Sequence, residues 1–320
     1  MTHLPAGAAV RARYHVVHET RVAYQSPVTL SQQYLHLTPR PSPYQRTESH
    51  EVWVNPLEND GVDGTDYFGN KTRQLTLTTP HHKLLVHAES TVALVQRNGL
   101  AHIKGTSSWE SLRDRLQLGM DPAMFDAYRY LYASPHVIGS LALEAYARIS
   151  YTPGRPQLDA ALDLTQRIFD EFEFDDAATD ISTPLEEVLR GRRGVCQDFA
   201  QLMIGCLRSL GLPARYVSGY ILTHPPAGQP RLIGADASHA WASVFCPGLG
   251  WVDFDPTNRC LVQHDHITLG WGRDFSDVTP MRGVVLGGGE QDLEVRVTVT
   301  PLTLDGMARQ GSKSPVDCQG

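Results

Sequence analysis

The chain has 320 residues, 41% of them hydrophobic and 20% charged, and a formal net charge of −7. That suffices for one large or two moderate domains, and the acidic balance gives no general attraction to nucleic acid or anionic lipid. Five cysteines, at 196, 206, 246, 260 and 318, are odd in number, widely spread and without a CxxC pair, which argues against a zinc knuckle, a dithiol redox pair and a disulfide-stapled secreted domain.

The opening run MTHLPAGAAVRARYHV lacks the continuous apolar stretch of a signal peptide. Nowhere do about 18 consecutive apolar residues occur. The expected compartment is a reducing cytoplasm, with no membrane or nucleic-acid partner. Composition sets no oligomeric state.

Residues 10–95 read as β structure. Tyr14–Tyr24 mixes β-branched, aromatic and polar residues as a half-buried strand does, and Gln33–Leu37, His50–Val54, Lys71–Leu77 and Leu84–Val95 repeat the pattern. Pro39-Arg-Pro-Ser-Pro43 and Asp66-Tyr-Phe-Gly-Asn70 are turn signals between them. Short strands at this spacing predict a β-sandwich-like domain over 1–100. Residues 101–155 read as a helical bridge, with helices at Ser108–Leu118, Met124–Leu131 and Pro135–Ile149.

From 156 to 305 helices give way to strands, an α+β order. Leu158–Phe172 is helical. So is Pro184–Leu189, with Ser182 or Thr183 as N-cap and Glu186 and Glu187 early in the helix. The third helix begins at Gly194-Val-Cys196, and Phe199, Leu202, Met203, Cys206, Leu207 and Leu210 mark its apolar face. Gly211-Leu-Pro213 stops it. Strands follow at Arg215–Leu222, Ala237–Cys246 and Trp251–Asp255, the last two flanking a turn at Pro247-Gly-Leu-Gly250. Between the first two lies a polar loop, Thr223–Arg231. Leu293–Thr300 is one more strand, and the tail over 306–320 reads as disordered.

The third helix carries the chemistry. A thiol becomes an effective nucleophile as the thiolate, and helix N-termini favour that form. The helical period places Cys196 in the first turn, where backbone N–H groups can also hold a developing oxyanion. Cys206 lies on the apolar stripe and reads as a small buried hydrophobe. Cys246 ends a strand, Cys260 falls in a loop and Cys318 in the tail. A cysteine nucleophile needs a base, and the base an orienting group. His239 enters a strand in Ser238-His-Ala-Trp241, and Asp255 ends the next in Gly250-Trp-Val-Asp-Phe-Asp-Pro-Thr257. With 247–250 as the loop, Asp255 faces Ala242, three residues from His239, so a bulge or a longer effective loop is needed to bring the two together. Asp253 shares its face, but only Asp255 is followed by proline.

These blocks resemble the bacterial transglutaminase-like superfamily: Gly194-Val-Cys-Gln-Asp-Phe-Ala200, Leu210-Gly-Leu-Pro-Ala-Arg-Tyr-Val-Ser-Gly-Tyr220, Ser238-His-Ala-Trp241 and Gly250-Trp-Val-Asp-Phe-Asp-Pro-Thr257. The resemblance extends to Tyr24-Gln-Ser-Pro-Val28, Leu37-Thr-Pro-Arg40, Phe68-Gly-Asn70 and Pro80-His81, which look like its N-terminal β domain. Gly272-Arg-Asp-Phe-Ser-Asp-Val278 and Arg282-Gly-Val284 look like its C-terminal signature. It implies a papain-like core, a helix bearing the nucleophile packed on an antiparallel sheet, behind an N-terminal β domain. It also implies a Cys196–His239–Asp255 triad and thiol acyl chemistry without cofactor or metal. The substrate would be a protein, a peptide or a small amide. Transfer to an amine and hydrolysis, as by a protease or amidase, are both open, and an idle binding or scaffold module is the reading from another class.

Other features weigh less. Asp198 caps the helix start or holds a partner strand, capping being the simpler reading. Gln197 and Trp241 line the acyl site or pack in the core. Trp109 is distant in sequence, which leaves an oxyanion side-chain donor unassigned. His264-Asp265-His266 and His81-His82 read as solvated loops, lacking a further ligand set. Arg190, Arg192 and Arg193 read as a solvated helix end. Gly287-Gly-Gly289 reads as a turn.

Overall fold

The protein is seen as a computed structural model, described here over residues 9–97, 103, 105–119, 121–223 and 237–303. The expected disordered tail and most of the Thr223–Arg231 loop lie outside those residues. Among the described residues no helix is long and apolar enough to cross a membrane.

The chain starts with β1 (Val10–Leu35), β2 (Gln45–Asn55), β3 (Asp60–Thr65), β4 (Lys71–Leu77) and β5 (His81–Val95). β1 joins two expected strands into one of 26 residues. Its register against β5 shifts between Ala23 and Val28, where Pro27 has no N–H for the ladder. Helices follow: α1 (Trp109–Leu118), α2 (Phe125–Tyr128), α3 (Leu141–Arg148) and α4 (Gln157–Glu171). α3 starts later than the expected Pro135, because Ser140 is its N-cap and the His136 N–H is taken by Asp274 Oδ2 at 2.8 Å. Next come β6 (Glu173–Phe174), α5 (Leu185–Gly191), β7 (Arg193–Gly194) and α6 (Cys196–Ser209). The N-cap of α5 is Pro184, not Ser182 or Thr183. The hydroxyl of Ser182 donates to Asp180 Oδ1 at 2.6 Å, and that of Thr183 accepts from the Asp180 N–H at 3.0 Å.

The remaining strands are β8 (Ala214–Ile221), β9 (Ala237–Cys246), β10 (Gly250–Asp255), β11 (Cys260–Leu261), β12 (His266–Gly272), β13 (Met281–Gly287) and β14 (Gln291–Pro301). One seven-stranded sheet runs β2-β5-β1-β4-β3, with β13 and β14 also on β1. The last two strands thus return to the first sheet. β4 and β5 follow one another along one edge of β1, and β13 and β14 along the other. Residues on either side of the β1 irregularity share one apolar core, with Val22 and Tyr24 meeting Val28, Leu35, Leu75 and Leu77. The N-terminal sheet is thereby sandwich-like.

The second sheet, β11-β10-β9-β8-β12, is five-stranded. α6 lies against β8 and β9, with α3 and α5 on it. The helices of the 101–155 segment share the same core, since Trp109, Leu112, Met124 and Leu143 pack in one cluster with Phe199, Leu202, Ala240 and Val244.

The two sheets meet at β12. Apolar contact comes from Tyr14, Val16, Val92 and Val297 against Tyr220, Ile267 and Leu269. Amide side chains then satisfy the outer edge of β12 as a further strand would. Gln45 Oε1 accepts from the Thr268 N–H at 2.7 Å while its Nε2 donates to the Thr268 carbonyl at 2.7 Å. Asn70 does the same for Trp271, at 3.0 and 2.9 Å. Gly270 makes room for this, since a Cβ there would lie 2.8 Å from Asn70 Oδ1. The Arg40 and Arg215 guanidiniums lie over the Trp271 ring at 3.6 and 3.8 Å. Arg40 and Asn70, at the ends of the Leu37–Arg40 and Phe68–Asn70 blocks, are therefore docking residues.

Candidate active site

Cys196 is the first residue of α6, with Val195 as its extended N-cap. The Asp198 carboxylate turns back to accept from the Val195 N–H at 2.9 Å and the Thr179 hydroxyl at 2.6 Å. This is the capping role. Cys196 and Gln197 are half-buried beside it. The thiol stands where first-turn N–H groups have no intrahelical acceptor and favour negative charge.

β9 brings His239 to the thiol. The Cys196 thiol lies near enough to favour charge on the imidazole, and His239 Nε2 lies 2.7 Å from Asp255 Oδ2. With Nε2 on the carboxylate, Nδ1 is the nitrogen left for the sulfur. The expected three-residue offset between the two strands is corrected by the register. Gly250 already pairs with Cys246, and the ladder continues without a shift to Phe254 and Ala242. Asp255 therefore falls across from Trp241, two residues from His239. A two-residue offset keeps both side chains on one face, whereas a slip of one would place them on opposite faces. No bulge is needed, because the diagonal reach across a strand pair suffices.

Asp255 is fully buried and saturated with donors. Oδ1 accepts from the Thr257 and Asn258 N–H groups at 2.9 and 3.2 Å, an Asx-type turn that ends β10 at Pro256. Oδ2 accepts from His239, from Asn258 Nδ2 at 2.7 Å and from His266 Nε2 at 2.9 Å. Burial alone would raise the carboxyl, but the His239 charge and hydrogen bond and the His266 hydrogen bond hold it far below its usual range. For His239, burial opposes the charge. The Asp255 charge and hydrogen bond, with the Cys196 contact, outweigh it and raise the imidazole to about 10. The buried carboxylate therefore favours the charged imidazolium, the form His239 takes once it has received a proton from the thiol. Asp253 is taken elsewhere, accepting from Arg97.

His266 corrects the solvated-loop reading of 264–266: it opens β12 and is 0% exposed. His239, Asp255 and His266 together have a metal-like composition, with donor atoms within 4.8 Å of one another. Both imidazole Nε2 atoms are engaged with one carboxylate oxygen, and the Asn258 amide donates into the same place. That is the arrangement of a hydrogen-bonded anion, since a cation there would face N–H donors.

Trp241 is also 0% exposed, so it walls no open acyl cleft. Its indole is edge-on to His266 with centroids 5.2 Å apart, and 6.1 Å from His239. Gly219 admits it: a Cβ there would lie 2.5 Å from Trp241 Cη2 and 2.1 Å from the Ile267 carbonyl oxygen. Gly219→Ala is expected to cost about 3 kcal/mol of stability, read as a lowered urea midpoint with unchanged slope.

Asn258 and His266 are the site residues that sequence reasoning missed. Among the other cysteines, Cys206, Cys246 and Cys260 are buried, and Cys260 lies in β11 rather than a loop. Burial pushes the Cys206 thiol up to about 12 and Cys246 up to about 11. Cys318 lies outside the described residues. His81 is likewise buried, in β5, with Nδ1 on the Thr79 carbonyl at 2.8 Å.

The chain matches two family profiles. Residues 145–256 match the Transglutaminase-like superfamily, and residues 14–93 match the Bacterial transglutaminase-like N-terminal region. An uncharacterised protein of Mycobacterium tuberculosis is 37% identical over 302 residues, covering 92% of this chain and 95% of its own. The chain belongs to the transglutaminase-like superfamily. A protein-glutamine gamma-glutamyltransferase of Pseudomonas aeruginosa is 26% identical over 215 residues, 65% of this chain and 28% of that one. Among solved structures, a candidate cysteine protease from Cytophaga hutchinsonii is similar in fold, with a TM-score of 0.70 at 18% identity and 94% of each chain covered. The superfamily membership and that likeness agree on a papain-like, transglutaminase-like core behind a sheet-rich N-terminal domain.

Proposed function

We propose that the protein is a cysteine-dependent acyl enzyme acting on a carboxamide or peptide carbonyl through Cys196, His239 and Asp255. One arrangement carries the reading: a half-buried thiol at a helix start stands beside an imidazole that a fully buried carboxylate holds at 2.7 Å. The thiol proton passes to His239 Nδ1, and Sγ attacks the carbonyl carbon. The first-turn N–H groups of α6 are the donors for the oxyanion. Collapse breaks the C–N bond, and the departing amine takes the proton from Nδ1. Water or an amine then gives its proton to Nδ1 and attacks the thioester, which frees Cys196. Asp255 keeps the imidazole in the right tautomer and stabilises its charge. The name of the Pseudomonas aeruginosa relative supports a glutamine carboxamide as acyl donor. Free thiols at Cys206 and Cys246 fit a reducing, cytoplasmic setting.

Two measurements test this. Iodoacetamide at about pH 6 is expected to label Cys196 well ahead of Cys206, Cys246 and Cys260, because a thiolate–imidazolium pair persists where ordinary thiols are protonated. The excess must vanish in His239→Gln; if that variant labels as fast as wild type, exposure alone explains the labelling and the reading falls. A glutamine peptide with a labelled amine then separates the acceptors. Amine incorporation supports transfer, and release of ammonia with conversion of the glutamine to glutamate, or cleavage of the peptide, without incorporation supports hydrolysis.

A further inference from the structure

We propose that His266 is a positioning residue for this site, a neutral hydrogen-bond donor that fixes the Asp255 carboxylate oxygen shared with His239. The inference rests on the triad reading above and extends it to a residue from a different strand. His266 stands on β12 and His239 on β9, with β8 between them. Both reach the same oxygen, Asp255 Oδ2, at 2.9 and 2.7 Å.

The protonation state follows from the partners. A ring nitrogen bonded to an ionised carboxylate is the protonated one, so Nε2 of His266 carries the hydrogen. Its Nδ1 is buried and has no partner among the described residues. A second proton there would be a buried donor without an acceptor, which is costly. Burial lowers the His266 ring, the Asp255 hydrogen bond and charge oppose this, and the charges of His239 and Arg97 add to the lowering. Arg97 is itself paired with Asp253.

Neutrality is what makes the contact useful. A lysine or arginine in this place would share the Asp255 charge and weaken its hold on the imidazolium. A neutral N–H removes the carboxylate's freedom to rotate and leaves its charge to His239. Trp241, edge-on to His266 at 5.2 Å, packs the donor in place. Without His266, Oδ2 keeps only the Asn258 amide as its fixed partner besides the catalytic imidazole.

The test is the pH dependence of Cys196 alkylation by iodoacetamide in the full chain, followed by peptide mass spectrometry beside a thermal melt. His266→Phe keeps a ring and loses the donor. Its reactivity at about pH 6 is expected to fall roughly ten- to a hundredfold, the worth of one hydrogen bond to a charged group. The rate at about pH 10, where an accessible thiol ionises without help, should stay within about twofold. His266→Gln, whose amide can donate to Oδ2, should recover most of the loss. If wild type and both variants share one profile, His266 has no positioning role and the triad reading stands. If Phe and Gln lose equally, packing rather than the N–H is responsible and the proposal is overturned. A wild-type Cys196 unreactive at about pH 6 overturns the triad reading, and this proposal with it. Should the Phe variant not fold, 15N NMR of the wild-type imidazoles decides. His266 must stay neutral between about pH 5 and 8, and a cationic His266 overturns the proposal.

Discussion

Changing Asp255 to asparagine is expected to lower turnover of a glutamine or peptide substrate by roughly 10³- to 10⁴-fold, with the fold retained. The amide is nearly isosteric, and its oxygen can still accept from the Thr257 and Asn258 N–H groups that shape the turn. What is lost is the charge facing His239. Three hydrogens point at Oδ2, from His239, Asn258 and His266, and an amide nitrogen in that place would meet them with hydrogens of its own. The imidazole would then turn or take the wrong tautomer.

The pH behaviour of this variant has a definite sign. In the wild type, burial pulls His239 down but Asp255 raises it to about 10. A group raised on folding contributes stability that is fully present below its unfolded value, about 6.5, and is lost as pH rises through about 10. Asp255 is depressed on folding, so its contribution is present above the ordinary carboxylate range and lost only as pH falls through its much lower folded value. The two shifts describe one interaction, present across the neutral range. In Asp255→Asn the burial of His239 is opposed only by Cys196 and no longer by the carboxylate, so the imidazole should titrate well below its wild-type range. Alkylation of Cys196 at about pH 6 should fall with it. A variant that retains wild-type alkylation and turnover there would remove Asp255 from the mechanism.

The parts of this site differed in how plainly the residues announced them. Cys196 was legible because the apolar period from Phe199 to Leu210 fixes where α6 begins, and a helix start is a local property. The His239 and Asp255 strands were legible as a hairpin. Their register was not, because it depends on whether Gly250 belongs to the turn or to the ladder, and one residue reverses the face. His266 was hidden by its neighbours. His264-Asp265-His266 looks hydrophilic, yet Ile267 and Leu269 pack on the first sheet while His266 and Thr268 are also buried. The alternation of apolar and polar residues over 266–269 was the available signal. A strand buried on both faces with polar residues on one is satisfied only by partners distant in sequence. The same holds for Gln45 and Asn70, whose purpose appears once the β12 edge is next to them. The expected strand Tyr14–Tyr24 stops short of Pro27, whereas β1 absorbs that proline as an irregularity and continues.

Arg208→Met is expected to destabilise the protein by about 3–5 kcal/mol, because it fills similar volume while leaving buried acceptors without donors. Arg208 is 7% exposed near the end of α6. Its guanidinium donates to the carbonyls of Tyr130 at 2.9 Å, Tyr132 at 3.1 Å, Ala214 at 2.9 Å and Arg273 at 2.6 Å, and to the Ser134 hydroxyl at 3.1 Å. One side chain thus joins the nucleophile helix to the segment before α3, the start of β8 and the Gly272–Val278 block. Asp274 in that block accepts from the His136 N–H, and the Phe275 N–H donates to Gln201 of α6 at 3.3 Å. Burial lowers Arg208 to about 10, with the Asp274 charge opposing, so it remains a cation at neutral pH. Arg208→Lys should lose less than Met, since an ammonium keeps three donors but not the planar fork that reaches four carbonyls at once. Urea unfolding followed by circular dichroism measures the order wild type, Lys, Met. Because the anchor lies at the far end of α6 from Cys196, folded Arg208→Lys should keep the alkylation profile of Cys196. A changed profile would mean that the C-terminal anchorage of the helix also sets the position of the thiol.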